Sequence, residues 1–227
     1  MNDLLETAIE AHGGQAGVLD DVVVTASLHQ ERVSHHPFGG ADRRSAFSPE
    51  RVAILSGDGT VLEALDQPRD TFAGHTLETR WSTLQLAYFV GIAMWTYLTQ
   101  PFSFAMPGFR TSELEPWDEA GQRWRRLRVT WPSYLATHST EQTLYFDQDG
   151  LLTRHDYEVE ISGGTPAAHY ISGYAEAAGI MVPTRHRIFP RAPDGRALAE
   201  PLVVSIDLSE IAFTPRLSTV GSSGSMR

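Results

Sequence analysis

The sequence predicts an α+β fold, an antiparallel sheet of strands in meander order with helices covering its apolar face. Three observations predict it. Short segments of alternating apolar and polar residues follow one another through the chain. Two turn signals, Ser56-Gly57-Asp58-Gly59 and Asp147-Gln148-Asp149-Gly150, join such segments as hairpins. One segment breaks the pattern. Trp81 to Phe109 carries no charged side chain in 29 residues, and holds two Trp, two Tyr and four Phe. A sheet with one apolar face needs a cover, and this segment supplies it.

Each element has its reason. Asn2 or Asp3 caps a first helix whose apolar stripe is Leu4, Leu5, Ala8 and Ile9, and Gly13-Gly14 ends it. Val22 to Val33 is rich in β-branched residues and reads as a strand, followed by shorter strands at Ala41 to Phe47 and Arg51 to Leu55. Val61 to Ala64 pairs back on Arg51 to Leu55 across the first turn. The spacing then predicts a helix over 82–98, with Pro101 and Pro107 breaking the rest of the segment into pieces. Trp124 to Trp131 alternates, with Leu127, Val129 and Trp131 on one face and Arg126, Arg128 and Thr130 on the other. Gln142 to Phe146 pairs with Leu152 to Ile161 across the second turn. There His155, Tyr157, Val159 and Ile161 share one face, and Arg154, Asp156, Glu158 and Glu160 the other. Pro166 to Tyr174, Met181 to Phe189 and Leu202 to Phe213 complete the strands, with a turn at Pro193-Asp194-Gly195. Residues 22–72 and 124–213 are expected to form one sheet, within a single domain over 1–214. Residues 215–227 are expected to be a flexible Gly/Ser-containing tail.

Composition excludes several functions. The chain has no Cys, which removes thiol catalysis, Cys-zinc sites and iron–sulfur clusters. Its net charge is −10, from 28 acidic and 18 basic residues, and all the basic ones are Arg. That field disfavours nucleic acid and anionic surfaces. The one basic cluster, Arg123, Arg125, Arg126 and Arg128, divides between the two faces of a strand. It reads as a solvated or ion-paired edge ahead of a phosphate site. No P-loop, nucleophile elbow or HExxH motif is present. Adjacent His35 and His36 point opposite ways, ahead of a turn at Pro37. We expect no metal and no cofactor. The apolar run Leu84 to Leu98 is 15 residues, too short for a membrane span. MNDLLETAIEAHGG has no apolar signal-peptide core, so the expected location is the cytoplasm.

A polar set stands out on the strands: His138, His155, Tyr157, His169 and Tyr170. His and Tyr in a cavity supply general acid–base chemistry. The bland reading is buried polar groups whose hydrogen bonds fix strand register. In the charge-free segment, Trp81, Tyr88, Trp95 and Phe102 recur every seven residues. Such a stripe is core or ligand wall. Its aromatic area exceeds what one docking face needs, so Tyr88 and Trp95 are expected to line a void.

Several motifs together carry a family likeness: ETAIEAHGG, RWSTLQLAYFVGIAMWTYLTQPF, WRRLRVTWP, THSTEQTLYFDQDGLLTRHDY, TPAAHY and VPTRHR. The chain resembles an uncharacterised bacterial group with the LolA/LolB-like lipoprotein-carrier fold, over most of residues 4–213. The resemblance implies a curved antiparallel half-barrel sheet with helices on its concave face, and a hydrophobic cavity between them. Arg is common in that group at the position of His186, which counts against catalysis there.

The leading function is binding of a hydrophobic small molecule or lipid in an aromatic-lined cavity. The expected wall is Trp81, Tyr88, Phe89, Trp95, Phe102, Trp131, Tyr145 and Tyr157. The alternative is a cofactor-free isomerase or cyclase using His138, His155, Tyr157, His169 and Tyr170. A groove for an apolar peptide is the third reading.

Overall fold

A computed structural model of the chain describes residues 2–13, 22–23 and 33–215. Most of the expected strand 22–33 and the Gly/Ser tail lie outside the described residues. Of that strand, β1 (Val22–Val23) pairs with the last strand of the chain, Thr214–Pro215.

Helix α1 spans Asp3–Ala11, and its cap is Asn2, whose Oδ1 accepts the Leu4 N–H at 2.9 Å. The expected stripe of Leu4, Leu5, Ala8 and Ile9 is fully buried. Helix α2 spans Thr83–Thr99 and opens with a capping box. Ser82 Oγ accepts the Gln85 N–H at 3.2 Å, and Gln85 Oε1 accepts the Ser82 N–H at 2.9 Å.

Where one sheet was expected, the described strands form two main sheets and the short β1 pairing. β2 (Arg43–Ser48), β3 (Arg51–Ser56) and β4 (Val61–Asp66) make a three-stranded antiparallel sheet. The second has seven strands in meander order: β5 (Arg110–Glu119), β6 (Gln122–Thr130), β7 (Glu141–Phe146), β8 (Leu152–Val159), β9 (Thr165–Ala177), β10 (Ile180–Pro190) and β11 (Val204–Asp207). Among the described residues edges β5 and β11 do not pair, so this sheet is open and does not close into a barrel. β12 is the Thr214–Pro215 pair partner of β1. Strand β5 carries Pro116, which cannot donate to a ladder, and its register shifts between Leu114 and Trp117. Proline and four acidic residues hid this edge strand from sequence periodicity.

The reason for two sheets is α2, which each of them covers from one side. Towards the small sheet, Tyr88 packs on Phe47 with ring centroids 5.7 Å apart, and on Phe72 at 5.8 Å. Towards the large sheet, Trp95 meets Trp131 edge-on at 6.0 Å, and Tyr97 lies 4.4 Å from His169. A helix apolar on every side needs cover on more than one side, and the exposed positions of α2 lie in its N-terminal half. This corrects the expectation of a void at Tyr88 and Trp95. They are 1% and 0% exposed, because the surplus aromatic area docks a second sheet. No helix among the described residues is long and apolar enough to cross a membrane.

Strand parity places the charged residues of β8 on the outer face, as expected, yet that face is not solvent. A hairpin at 190–198 folds over it, and Arg154 is 0% exposed. Its guanidinium donates to Asp156 Oδ1 and Oδ2 at 2.7 and 2.8 Å, to Glu119 Oε2 at 2.7 Å, and to the Gly195 carbonyl. Tyr145 Oη donates to Asp156 Oδ2 at 2.8 Å, and Tyr170 Oη donates to Glu119. Removing one partner from such a buried pair costs about 3–5 kcal/mol.

Two substitutions test the packing of α2. Gly91 faces Phe47, and a Cβ there would overlap the ring and lie 2.8 Å from the Phe47 Cβ. Gly91→Ala should therefore destabilise by about 1–3 kcal/mol despite its better helix propensity. In the Phe47→Leu background the loss should shrink, as denaturant midpoints of the four proteins will show. Trp95→Ala should cost about 3–5 kcal/mol, the range for a packed core Trp. A loss under about 1 kcal/mol would mean that its site is not closely packed.

Candidate functional site

A cavity of about 440 Å³ opens between the N-terminal half of α2 and the β8–β11 side of the large sheet. The helix side supplies Trp81, Leu86 and Phe89, with Leu77 and Thr79 from the loop before it. The sheet side supplies Tyr157, Val159, Ala167, Ile188 and Pro190, with Val203 and Val204 at the start of edge strand β11. Among the described residues no charged side chain lines it; its polar side-chain groups are the hydroxyls of Thr79, Ser162, Thr165 and Tyr157 and the indole N–H of Trp81. The size falls within the range of small-molecule sites. Leu77, Leu86 and Val203 stand 52%, 43% and 44% exposed, which leaves the mouth apolar.

Register explains the sheet side. His155 pairs with His169 and Tyr157 with Ala167, so the inner face carries a polar group beside an apolar one. Behind Tyr157 lies a cluster sealed from the cavity. His138 stacks on the Tyr157 ring at 4.2 Å with an interplanar angle of 11°. Tyr157 and Tyr97 share a hydroxyl–hydroxyl hydrogen bond of 2.8 Å. His169 Nε2 and His186 Nδ1 share another of 2.9 Å. His155 Nε2 lies 2.6 Å from Gln142 Oε1, and the Gln142 amide donates to the Ser139 carbonyl at 2.8 Å. That donation fixes the amide, so His155 carries its proton on Nε2 and presents a bare Nδ1. His138 Nε2, His155 Nδ1, His169 Nδ1 and His186 Nε2 are buried without hydrogen-bond partners among the described residues.

Burial decides the charge of this cluster. It pushes His138 down to about 3, assisted by the Arg69 charge, and His186 down to about 4. His155 and His169 are held well below the ordinary histidine value, first by burial, and then by His138 for His155 and by His186, His155 and His138 for His169. Burial likewise raises Tyr157 well above the phenol range. All these groups are neutral near pH 7. Among the described residues no group of three or more His, Asp or Glu could hold a metal ion.

The structure divides the sequence candidates. It brings His138, His155, Tyr157 and His169 together, and puts only Tyr157 at the cavity wall. Tyr170 lies on the opposite face, because it follows His169 directly on β9 and pairs with Arg154. Of the expected ligand wall, Trp81, Phe89 and Tyr157 line the cavity. Tyr88, Trp95, Phe102 and Trp131 belong to the main core. Tyr145 points outward to Asp156. Sequence reading did not single out Tyr97, Gln142 or the rim residues Leu77, Leu86 and Val203. Tyr97 and Leu86 were masked by the uniformly apolar helix around them; Leu77 and Val203 come from loops with no period to read. His186 joins His169 as a neutral partner.

No family model matches the chain, and no curated protein resembles it in sequence. Among solved structures it is similar to a LolA superfamily protein from Nitrosomonas europaea, at 12% identity and a TM-score of 0.37, over 85% of this chain and 86% of that one. It is also similar to a DUF1329 family protein from Desulfovibrio piger, at 12% identity and 0.38, over 69% and 62%. A candidate outer membrane lipoprotein-sorting protein domain from Vibrio parahaemolyticus matches at 14% identity and 0.32, over 66% of this chain. The chain spans 54% of the length of that Vibrio protein. The cavity of the chain itself, and not these proteins, carries the functional reading.

The buried histidines predict acid sensitivity. His12 is also pushed down to about 4 by burial between α1 and Tyr174. The folded-state values lie below the unfolded value of about 6.5. Between those limits the unfolded chain binds more protons, so stability falls as pH drops from about 6.5 towards 4. A shift of this depth is worth on the order of 3 kcal/mol for each of His12, His138 and His186. These three together rival the stability of a typical domain, about 5–15 kcal/mol, and His155 and His169 act in the same direction. Urea midpoints measured from pH 8 to pH 5 should be flat above about pH 7 and fall steeply below 6.5. A flat profile down to pH 5 would show that the histidines are hydrated in the folded state.

Proposed function

We propose that the protein binds a hydrophobic small molecule or lipid in the cavity between α2 and the β8–β11 side of the large sheet. The observation that carries this reading is an opening of about 440 Å³ without a charged wall residue in a chain of net charge −10. An ionised ligand group would lose its hydration there and gain no partner. An apolar ligand loses only its contact with water. The polar atoms in the wall are few and neutral, enough to orient a ligand through a hydroxyl or carbonyl.

Binding is preferred over acid–base catalysis on geometry. A catalytic base must come within hydrogen-bond reach of the substrate. Only Tyr157 of the His/Tyr set lines the cavity, and its hydroxyl is engaged by Tyr97. The histidines behind it account for themselves as neutral groups that shape the cavity floor.

The test is a titration with an apolar fluorescent dye, paired with native mass spectrometry of freshly purified protein. Val204 lines the cavity from the edge strand and is half-buried, so a larger side chain there enters the opening. Val204→Trp should weaken dye binding tenfold or more while shifting the denaturant midpoint little. Unchanged affinity in that variant would remove the dye, and the proposal, from this cavity.

A further inference from the structure

The outer face of the large sheet carries a second opening, a cleft of about 380 Å³ beside the 190–198 hairpin. Its character is the reverse of the inner cavity's, since charged side chains line it. On β6, Arg126 stands opposite Tyr145 and Arg128 opposite Thr143, so both guanidinium groups project from this face. Arg123 and Arg125 are ion-paired, to Asp118 at 3.2 Å and to Glu113 and Asp3 at 2.8 and 2.9 Å. Neither Arg126 nor Arg128 is paired with a carboxylate among the described residues.

Arg126 is held in place without being neutralised. Its Nε donates to the Glu115 carbonyl at 2.6 Å. Its guanidinium carbon lies 5.5 Å from the Trp117 ring and 5.9 Å from the Tyr145 ring. A fork fixed through Nε beside two aromatic rings and the Tyr145 hydroxyl still has terminal N–H groups left for another partner. The four carboxylates of the cleft divide. Asp156 is bound by Arg154, and Glu158 by Arg191 at 2.6 Å. Glu141 and Asp194 remain, and Asp194 accepts the Arg196 N–H at 3.0 Å.

We propose that this cleft binds a phosphate dianion, free or as a monoester, between Arg126 and Arg128. Residues two apart on one strand face are about 7 Å apart along it. Two guanidinium groups rooted at that distance can close on one tetrahedral dianion, each through paired N–H bonds. Thr143, opposite Arg128, supplies a neutral hydroxyl donor from the next strand. Glu141, Asp194 and the negative field of the chain oppose the anion, so binding is modest and weakens with salt.

The experiment is a titration with inorganic phosphate at constant ionic strength, read by Trp fluorescence and by calorimetry, with chloride as the control. Saturable binding of phosphate and none of chloride is expected. Arg128→Gln removes an exposed, unpaired side chain and should weaken binding tenfold or more with the fold intact. Arg126→Gln should do the same, and Arg123→Gln should leave it unchanged. A parallel titration with glycerol 1-phosphate separates the sources: tighter binding than inorganic phosphate assigns a monoester, weaker binding the free anion. Absence of saturation, or equal affinity in Arg128→Gln, would overturn the proposal. Dye affinity of the inner cavity should not change in Arg128→Gln, so the two sites stand or fall separately.

Discussion

Everything in this molecule depends on one helix with no polar side. A typical surface helix buries one stripe and gives the rest to water. α2 has nothing to give, so a second layer has to meet it. The small sheet and the turn at 68–72 that follows it are that layer: Phe47 and Phe72 close over Tyr88, and the bare backbone at Gly91 lets the Phe47 ring approach. The large sheet takes the other side through Trp131 and the Tyr97 contacts. Where the two coverings leave the N-terminal half of the helix partly free, around Leu86 and Phe89, the cavity opens.

The polar interior has its origin in the same arrangement. Strand alternation puts His155, Tyr157 and His169 on the inner face whether or not the chain needs them there. Once α2 seals that face, these groups can remain only as neutral species. Stacking of His138 on Tyr157 and the bond from Tyr157 to Tyr97 give the cavity a rigid floor. The free ring nitrogens are the cost of building that floor from imidazole.

Much of this was legible in the residues, and the gaps have physical causes. Hairpins at 51–66 and 141–159 followed from turn chemistry and alternation, both local properties. The helix over 82–98 was found within a residue or so at each end. Sheet partition was not legible, since nothing in β4 says which strand it declines to pair with. β5 was missed because Pro116 and its acidic neighbours imitate a loop. For the site, residue type pointed at the right imidazoles, but parity alone could not foresee the 190–198 hairpin that buries the other face. The rim of Leu77, Leu86 and Val203 comes from three distant segments and exists only in the folded chain.

One end of β10 belongs to both faces at once. Ile188 and Pro190 form cavity wall, and one residue later Arg191 reaches across the outer face to Glu158 at 2.6 Å. The turn that continues from it is fastened by Arg154 through the Gly195 carbonyl. That strand end is a partition with an apolar room on one side and its own bolts on the other. Loosening the bolts moves the wall. An Arg154 variant that lost affinity for an apolar ligand would therefore be reporting a displaced partition, in a residue that never touches the ligand.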